Sequence, residues 1–298
     1  MSNDPIVVMT QENNEELKFT ISQVDVSIVN ALRRTILANI PVIVFETFPY
    51  EKNKCTVFKN TTKLNNEILN QRLSCIPIHI TDLSFPLEQY KVVVNKTNDM
   101  DTIMYVTTED FQLYDIKNDH YVNRAEVLKI FPSDPITSRF IDLVGLKPKI
   151  QNCSPGESLH FECKFSISTA NDNGSYNCVS TCAYSNTIDV NTMERQYTQF
   201  ATELKKKELT GEEIQLEEKN WKLLEAQRHF IEDSFDFILE SIGVFKNKDI
   251  IMAACQVIKN DLNRLKDTSD SNIYRIEIKN SVTTLENSFD IILENNDY

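Results

Sequence analysis

Glycine is scarce in this chain, with 5 in 298 residues. A phosphate-cradling loop needs several glycines close together so that backbone N–H groups can reach the anion, and so few can hardly supply one. No apolar run approaches the ~20 residues of a membrane span. The start, MSNDPIVVMTQENN, has neither a basic segment nor a long apolar core, so it does not read as a secretory signal. Without an export signal, an odd count of 7 cysteines points to reduced thiols in a cytosolic or nuclear protein. Positive charge is also short. The 31 basic residues stand against 44 acidic ones, a net charge of −13, which argues against unaided nucleic-acid binding and favours basic protein partners.

Chemistry is equally thin. Cys153, Cys163, Cys178 and Cys182 lack the tight Cys-x-x-Cys pairs of closed zinc sites. Cys163 is in phase with an apolar strand pattern, so core packing competes with metal binding there. His79, His120, His160 and His229 lie in different segments with no acid or nucleophile at motif spacing. The acidic pairs Glu212–Glu213 and Glu217–Glu218 read as a solvated helix face. The sequence therefore offers no catalytic residues, no metal site and no cofactor site. Its hydrophobic fraction of 41% and charged fraction of 25% are those of an ordinary globular protein.

What is present centres on Asp25–Pro41, DVSIVNALRRTILANIP. Asp25 and Ser27 can cap a helix start, and Pro41 cannot continue the hydrogen-bond ladder. Ile28, Leu32, Thr35 and Ile36 fall on one stripe, with Val29 and Ile40 on its margins and Arg33 and Arg34 beside it. Arginine beside an apolar stripe favours an interface over a solvated face. ELKFTIS before the helix and VIVFETF after it read as strands.

Further along, Asn65 or Asn66 can cap a short helix over Glu67–Leu73, after which Ile76, Ile78 and Ile80 alternate as a strand. QYKVVVN and TIMYVTT are strand candidates parted by a turn. SLHFECKFSIS (Ser158–Ser168) alternates throughout; NDNG then gives a turn and CVSTCAYS its paired strand, so the middle forms a β-rich unit. From about Asn191 the composition turns to Glu, Lys, Gln and Leu. The first segment there fits a helical hairpin or a solvated linker. Thr210 and Glu213 form a capping-box pattern for a second helix carrying Ile214, Leu216, Trp221, Leu224 and Phe230. SFDFILESIG is a strand closed by Gly243. An amphipathic helix follows, with Ile251, Ala254, Ile258, Leu262 and Leu265 near heptad spacing. NSFDIILENNDY then repeats the opening strand pattern, Phe289, Ile291 and Leu293 matching Leu17, Phe19 and Ile21.

Asn30-Ala31-Leu32-Arg33-Arg34, Ile40-Pro41, Asn60-Thr61-Thr62, Asn66-Glu67 and Arg72-Leu73 with Ile76-Pro77 occur in the order of one polymerase signature. In these blocks the chain resembles the family of the third-largest subunit of eukaryotic RNA polymerase II, the archaeal D subunit and the bacterial alpha subunit. Val44, Ser74 and the long spacing to Asn60 depart from its pattern, and the cysteine cluster that many members use for zinc is missing. The chain resembles a divergent member from a large DNA virus.

The resemblance implies an α+β fold with a discontinuous dimerisation domain of strands and two amphipathic helices, over 1–45 and 183–266. A β-rich domain would be inserted at 46–182. Residues 267–298 would be a tail or the first strand of a fused or split partner. It implies a non-catalytic assembly subunit of DNA-directed RNA polymerase, acting in transcription. That subunit forms a heterodimer with a small similar subunit, and the pair is the platform for two large catalytic subunits. Magnesium would be held by the largest subunit and not here. Ile28, Leu32, Ile36, Ile251, Ile258 and Leu262 would form the heterodimer interface; Arg33, Arg34 and Arg72 would contact a large subunit. No direct specific nucleic-acid binding and no membrane attachment are expected. The implied location is cytoplasmic or nuclear within the polymerase complex, or packaged in a virion. Two other readings stand beside it. One is a stand-alone interaction module using the Glu/Lys-rich helices 192–230; the other is an enzyme, which would need a metal or cofactor.

Overall fold

The computed structural model describes residues 5–13, 16–149, 155–206, 210–267, 273–278 and 289–294; side chains are described up to residue 264. The chain opens with β1 (Ile6–Glu12), β2 (Glu16–Ser22), α1 (Val26–Ala38), β3 (Val42–Val44) and β4 (Cys55–Asn60). There follow α2 (Asn66–Ser74), β5 (Tyr90–Thr97), β6 (Met104–Thr107), β7 (Gln112–Asp115), β8 (His120–Tyr121), α3 (Arg124–Ile130) and β9 (Asp142–Leu146). The second half runs β10 (Ser158–Lys164), β11 (Ser166–Ser168), β12 (Val179–Ile188), α4 (Val190–Leu204) and α5 (Gly211–Leu223). It ends with β13 (Phe230–Ser241), α6 (Asn247–Asp267), β14 (Ile273–Ile278) and β15 (Phe289–Glu294). The fold is α+β.

The helix starts obey local capping chemistry. Asp25 Oδ1 accepts from the Ser27 N–H at 2.8 Å, Asn65 from Ile68 at 2.9 Å and Asp189 from Thr192 at 3.1 Å. Thr210 and Glu213 close the capping box that the sequence suggested.

The chain divides into two compact units, one comprising residues 1–36 and 179–241, the other 37–178 and 242–298. Residues 242–266, expected with the dimerisation domain, group with the second unit. The first unit holds an antiparallel sheet in the order β1-β2-β13-β12. Its register sets Leu17 opposite Leu239, Phe19 opposite Phe237 and Ile21 opposite Phe235. Because side chains alternate along a strand, this register puts all six on one face. That face is buried, and the Phe19 and Phe237 rings stack at 4.9 Å. The other face is polar: Thr20 and Thr187 both donate to Asp236 Oδ1, at 2.6 and 3.1 Å.

The second unit is built on a five-stranded antiparallel sheet, β4-β10-β5-β7-β8. Val92, Val94, Leu159, Phe161 and Cys163 join its core with a cluster of phenylalanines. Phe45 lies 5.4 Å from Phe165 and 6.0 Å from Phe131, and Phe111 meets Phe131 edge-on at 5.1 Å. Small pairs β3–β11, β6–β9 and β14–β15 complete the strands.

Several local readings need correction. SLHFECKFSIS is two strands in two sheets, because the chain breaks at Phe165 between β10 and β11. VIVFETF contributes only the three residues of β3. CVSTCAYS does not return along Ser158–Ser168; β12 pairs with β13 in the first unit. Ile76 and Ile78 are buried but form no strand, and Pro77 between them has no N–H to give a ladder. β13 starts at Phe230 rather than Ser234, so α5 ends at Leu223. β1 was not anticipated, since IVVMTQE does not alternate. It is exposed along its whole length.

Candidate partner-binding surfaces

The two amphipathic helices use their apolar residues differently. In α1 the buried residues are Val29, Leu32, Thr35 and Ile36. Leu32 is 7% and Ile36 1% exposed, so the chain itself already covers them. Ile28, placed on the same stripe by sequence, is 59% exposed. The burial stripe keeps Leu32, Thr35 and Ile36 and takes Val29, about 100° around the helix from Ile28, in place of Ile28.

In α6, Ile250 and Ala254 are fully buried, one turn apart. Ile251 and Ile258 are half-buried, and Leu262 is 55% exposed. Leu265 lies outside the residues whose side chains are described. A second stripe runs along the outer side of this helix. Met252, Cys255, Lys259 and Leu262 are all exposed, at the 3-4-3 spacing that keeps residues on one face. The heptad series in the sequence picked up Leu262 from this stripe and missed Met252.

Arg33 is half-buried, and its Nη2 and Nε donate to Asn30 Oδ1 at 3.0 and 3.3 Å. Arg34 is exposed on the same helix. Arg72, also exposed, donates from Nη2 to the Asp142 carbonyl at 2.8 Å, tying α2 to β9. Arg72 lies in the second unit, and Arg33 and Arg34 in the first.

Between β12 and β13, α4 and α5 form the helical hairpin. Trp221 is buried, with Tyr197 at 5.0 Å and Phe200 stacked at 5.8 Å. Outside this clamp Leu216, Leu223 and Leu224 are 58%, 62% and 64% exposed.

Among the described residues the cysteines are divided between the two units. Cys163 faces Cys55 across β10 and β4, and burial pushes its thiol well above the ordinary value. Burial likewise pushes Cys178 up to about 11. Cys182 lies in the other unit, and Cys153 is outside the described residues. Among the described residues, no group of three or more His, Cys, Asp and Glu is arranged to hold a metal. Among them, too, no helix is long and apolar enough to cross a membrane. His79 is half-buried, which lowers its pKa, and His160 packs 4.9 Å from Phe58.

Sequence reasoning missed one further surface, beside α2. Phe48 and Tyr50 are 73% and 87% exposed in the loop before β4. Two aromatic residues flanking a proline in an otherwise polar loop were the available signal.

Comparison with known proteins adds an independent line. Residues 18–262 match the family described as the RNA polymerase Rpb3/Rpb11 dimerisation domain. The chain is 24% identical over 308 residues to the DNA-directed RNA polymerases I and III subunit RPAC1 of Homo sapiens, covering 89% of this chain and 84% of that one. It is 25% identical over 274 residues to the DNA-directed RNA polymerase subunit Rpo3 of Methanosarcina acetivorans, covering 83% of this chain and 91% of the relative. A match to the Conjugation stage-specific protein of Tetrahymena thermophila, 25% identical over 197 residues, spans 59% of this chain and 58% of that protein.

Proposed function

The chain belongs to the RNA polymerase Rpb3/Rpb11 dimerisation-domain family, and on that premise we propose that it is a non-catalytic assembly subunit of DNA-directed RNA polymerase. It pairs with a small, similar subunit, and the pair is the platform on which two large catalytic subunits dock. The observation that carries this reading is the family match, which runs through both units from residue 18 to residue 262. The chain needs no cofactor of its own in this role; magnesium for phosphoryl transfer is held by the largest subunit.

The exposed apolar residues refine where pairing occurs. Leu32 and Ile36 are occupied inside the chain and support the surface from beneath. Val26 and Ile28 on α1, and Met252 and Leu262 on α6, are the large apolar residues left exposed to meet a partner. Burying a large apolar side chain of this kind contributes roughly 1.5–3 kcal/mol. Arg34 and Arg72, both exposed, are the stronger candidates for contacts to a large subunit, with Arg33 shaping α1 through Asn30.

A second contact is favoured by one observation. Leu216 in the middle of α5 and Leu223 and Leu224 at its end are each more than half exposed, more apolar surface than a solvated connector needs. The hairpin meets a protein as well, within the assembly or, on the competing reading, outside any polymerase.

The test is mass spectrometry of what co-purifies with the chain from its native source. Two large subunits and one small one are expected. Recovery of a soluble monomer alone would sink the platform reading and leave the hairpin as the functional surface.

A further inference from the structure

In the second unit, the loop before β4 and the face of α2 enclose a cleft of about 700 Å³. Its mouth carries Phe48 and Tyr50, and Ile68 of α2 adds a 43% exposed apolar wall. The floor is polar. Thr47 donates to the Asn70 carbonyl at 2.8 Å, fastening the loop to the helix. Two other amides at the cleft are engaged: Asn53 Oδ1 accepts from the Cys55 N–H, and Asn173 Oδ1 from the Ser175 N–H and hydroxyl; Gln71 is exposed. Asn70 Oδ1 differs, being buried and without a hydrogen-bond partner among the described residues.

A buried acceptor left unpaired is costly, so such an atom marks a place where a donor belongs. Glu67 is the sole charged residue lining the cleft. Of the two charges in the adjoining turn, Glu51 is acidic and Lys52 lies 4.0 Å from Glu46. The charge surplus at the cleft is therefore negative. Phe48 and Tyr50 leave most of their ring surface exposed beside these acceptors.

We propose that this cleft is a docking site for an arginine side chain presented by a partner polypeptide. A guanidinium joins all three features in one group. Its N–H fork can donate to Asn70 Oδ1, its charge complements Glu67, and its flat face stacks on an aromatic ring. An apolar peptide would leave Asn70 Oδ1 unpaired, and an acidic one would be repelled by Glu67. The inference goes beyond the assembly role, since it specifies the chemistry of one contact and does not depend on which polypeptide supplies it.

The experiment uses the full chain in its purified native assembly, with the photo-reactive residue p-benzoylphenylalanine replacing Tyr50. After irradiation, the expected result is one dominant cross-linked peptide from another polypeptide, with an arginine within a few residues of the linkage. Cross-links confined to the chain itself, or to a peptide lacking arginine, overturn the proposal. Two variants then read the chemistry through retention of that polypeptide. Asn70→Asp supplies a charged acceptor and should raise retention several-fold, whereas a donor-poor or acidic occupant would be released. Tyr50→Ala alters an exposed residue, so folding is spared, and should weaken retention about 3- to 30-fold through the lost ring contact. Unchanged retention in both variants also overturns the proposal. Failure of the assembly reading is seen separately, in the identities of the co-purifying subunits.

Discussion

The helices α1 and α6 look alike in sequence, each with an apolar stripe and charged flanks, yet the structure treats them differently. α1 buries Val29, Leu32 and Ile36 to 7% exposure or less. α6 fully buries Ile250 and Ala254, keeps Ile251 and Ile258 half-covered, and leaves Met252 and Leu262 open at 62% and 55%. One stripe is consumed by the chain's own core; the other helix has a stripe for the core and a second for something else. Periodicity reports that a helix has an apolar face, and it is silent on what covers that face. A partner interface must therefore be sought in the apolar residues that remain exposed after folding.

The sharpest way to break this comparison is to place a charge on each stripe. Ile36→Asp buries an unpaired carboxylate and should destabilise the isolated chain by about 3–5 kcal/mol, lowering Tm by on the order of 10 °C. Thermal unfolding followed by circular dichroism, with no partner present, reads this directly. An unchanged Tm accompanied by lost pairing would transfer the α1 stripe from core to interface. Leu262→Glu is the counterpart. It changes an exposed residue to a good helix former, so stability should stay within about 0.5 kcal/mol. Affinity for the small subunit, measured by calorimetry, should nevertheless fall roughly 10- to 100-fold. A Tm loss as large as that of Ile36→Asp would mean that the chain itself covers the end of α6.

The same contrast explains what was legible in the sequence. Where a segment alternates and both ends are marked, it was read correctly: β2 and the end of β13 share one face through Phe19 and Phe237. The helix caps at Asp25, Asn65 and Thr210 also emerged as the side-chain chemistry demands. Pairing partners were less accessible. CVSTCAYS follows a strong turn, so a local hairpin was the economical reading; the pairing with β13 spans the whole helical hairpin and leaves no trace in spacing. β1 was invisible because both its faces are exposed and no alternation is required. The α1 stripe was misjudged by one residue because Ile28 and Val29 are equally apolar, and only tertiary packing distinguishes them. The Phe48–Asn70 cleft is assembled from a loop and a helix that are separate in the chain, and an unpaired acceptor has no sequence signature at all.

Cys255 sharpens the comparison without altering the interface. It sits on the outer stripe of α6, three residues after Met252 and seven before Leu262. Desolvation by its neighbours raises the thiol pKa of this exposed residue, so the reactive thiolate forms at higher pH than for an ordinary cysteine. Its alkylation by iodoacetamide should therefore accelerate with pH and still be rising where an ordinary thiol has levelled off. Adding the small subunit should slow it about 10-fold. Cys75, exposed and far from α6 in sequence, is the reference thiol. If protection is equal at both, the effect is a general one and the outer stripe of α6 is not the footprint.

The smallest expected effects separate two adjacent arginines. Arg33 is tied to Asn30 within its own helix, so Arg33→Ala should cost about 0.2–0.5 kcal/mol, the usual worth of a side-chain pair one turn apart. Arg34 is exposed, so Arg34→Ala should leave stability unchanged while weakening capture of a large subunit by the preformed pair. Chemical denaturation of each variant and a pull-down at fixed salt read the two effects apart. The pattern matters more than either magnitude. A guanidinium already holding an internal acceptor retains fewer donors for a partner, whereas a neighbour about 100° around the helix retains all five. If Arg33→Ala instead abolishes capture while Arg34→Ala does nothing, the Arg33–Asn30 contact is a way of aiming a binding residue, and the large subunit meets α1 on the Arg33 side.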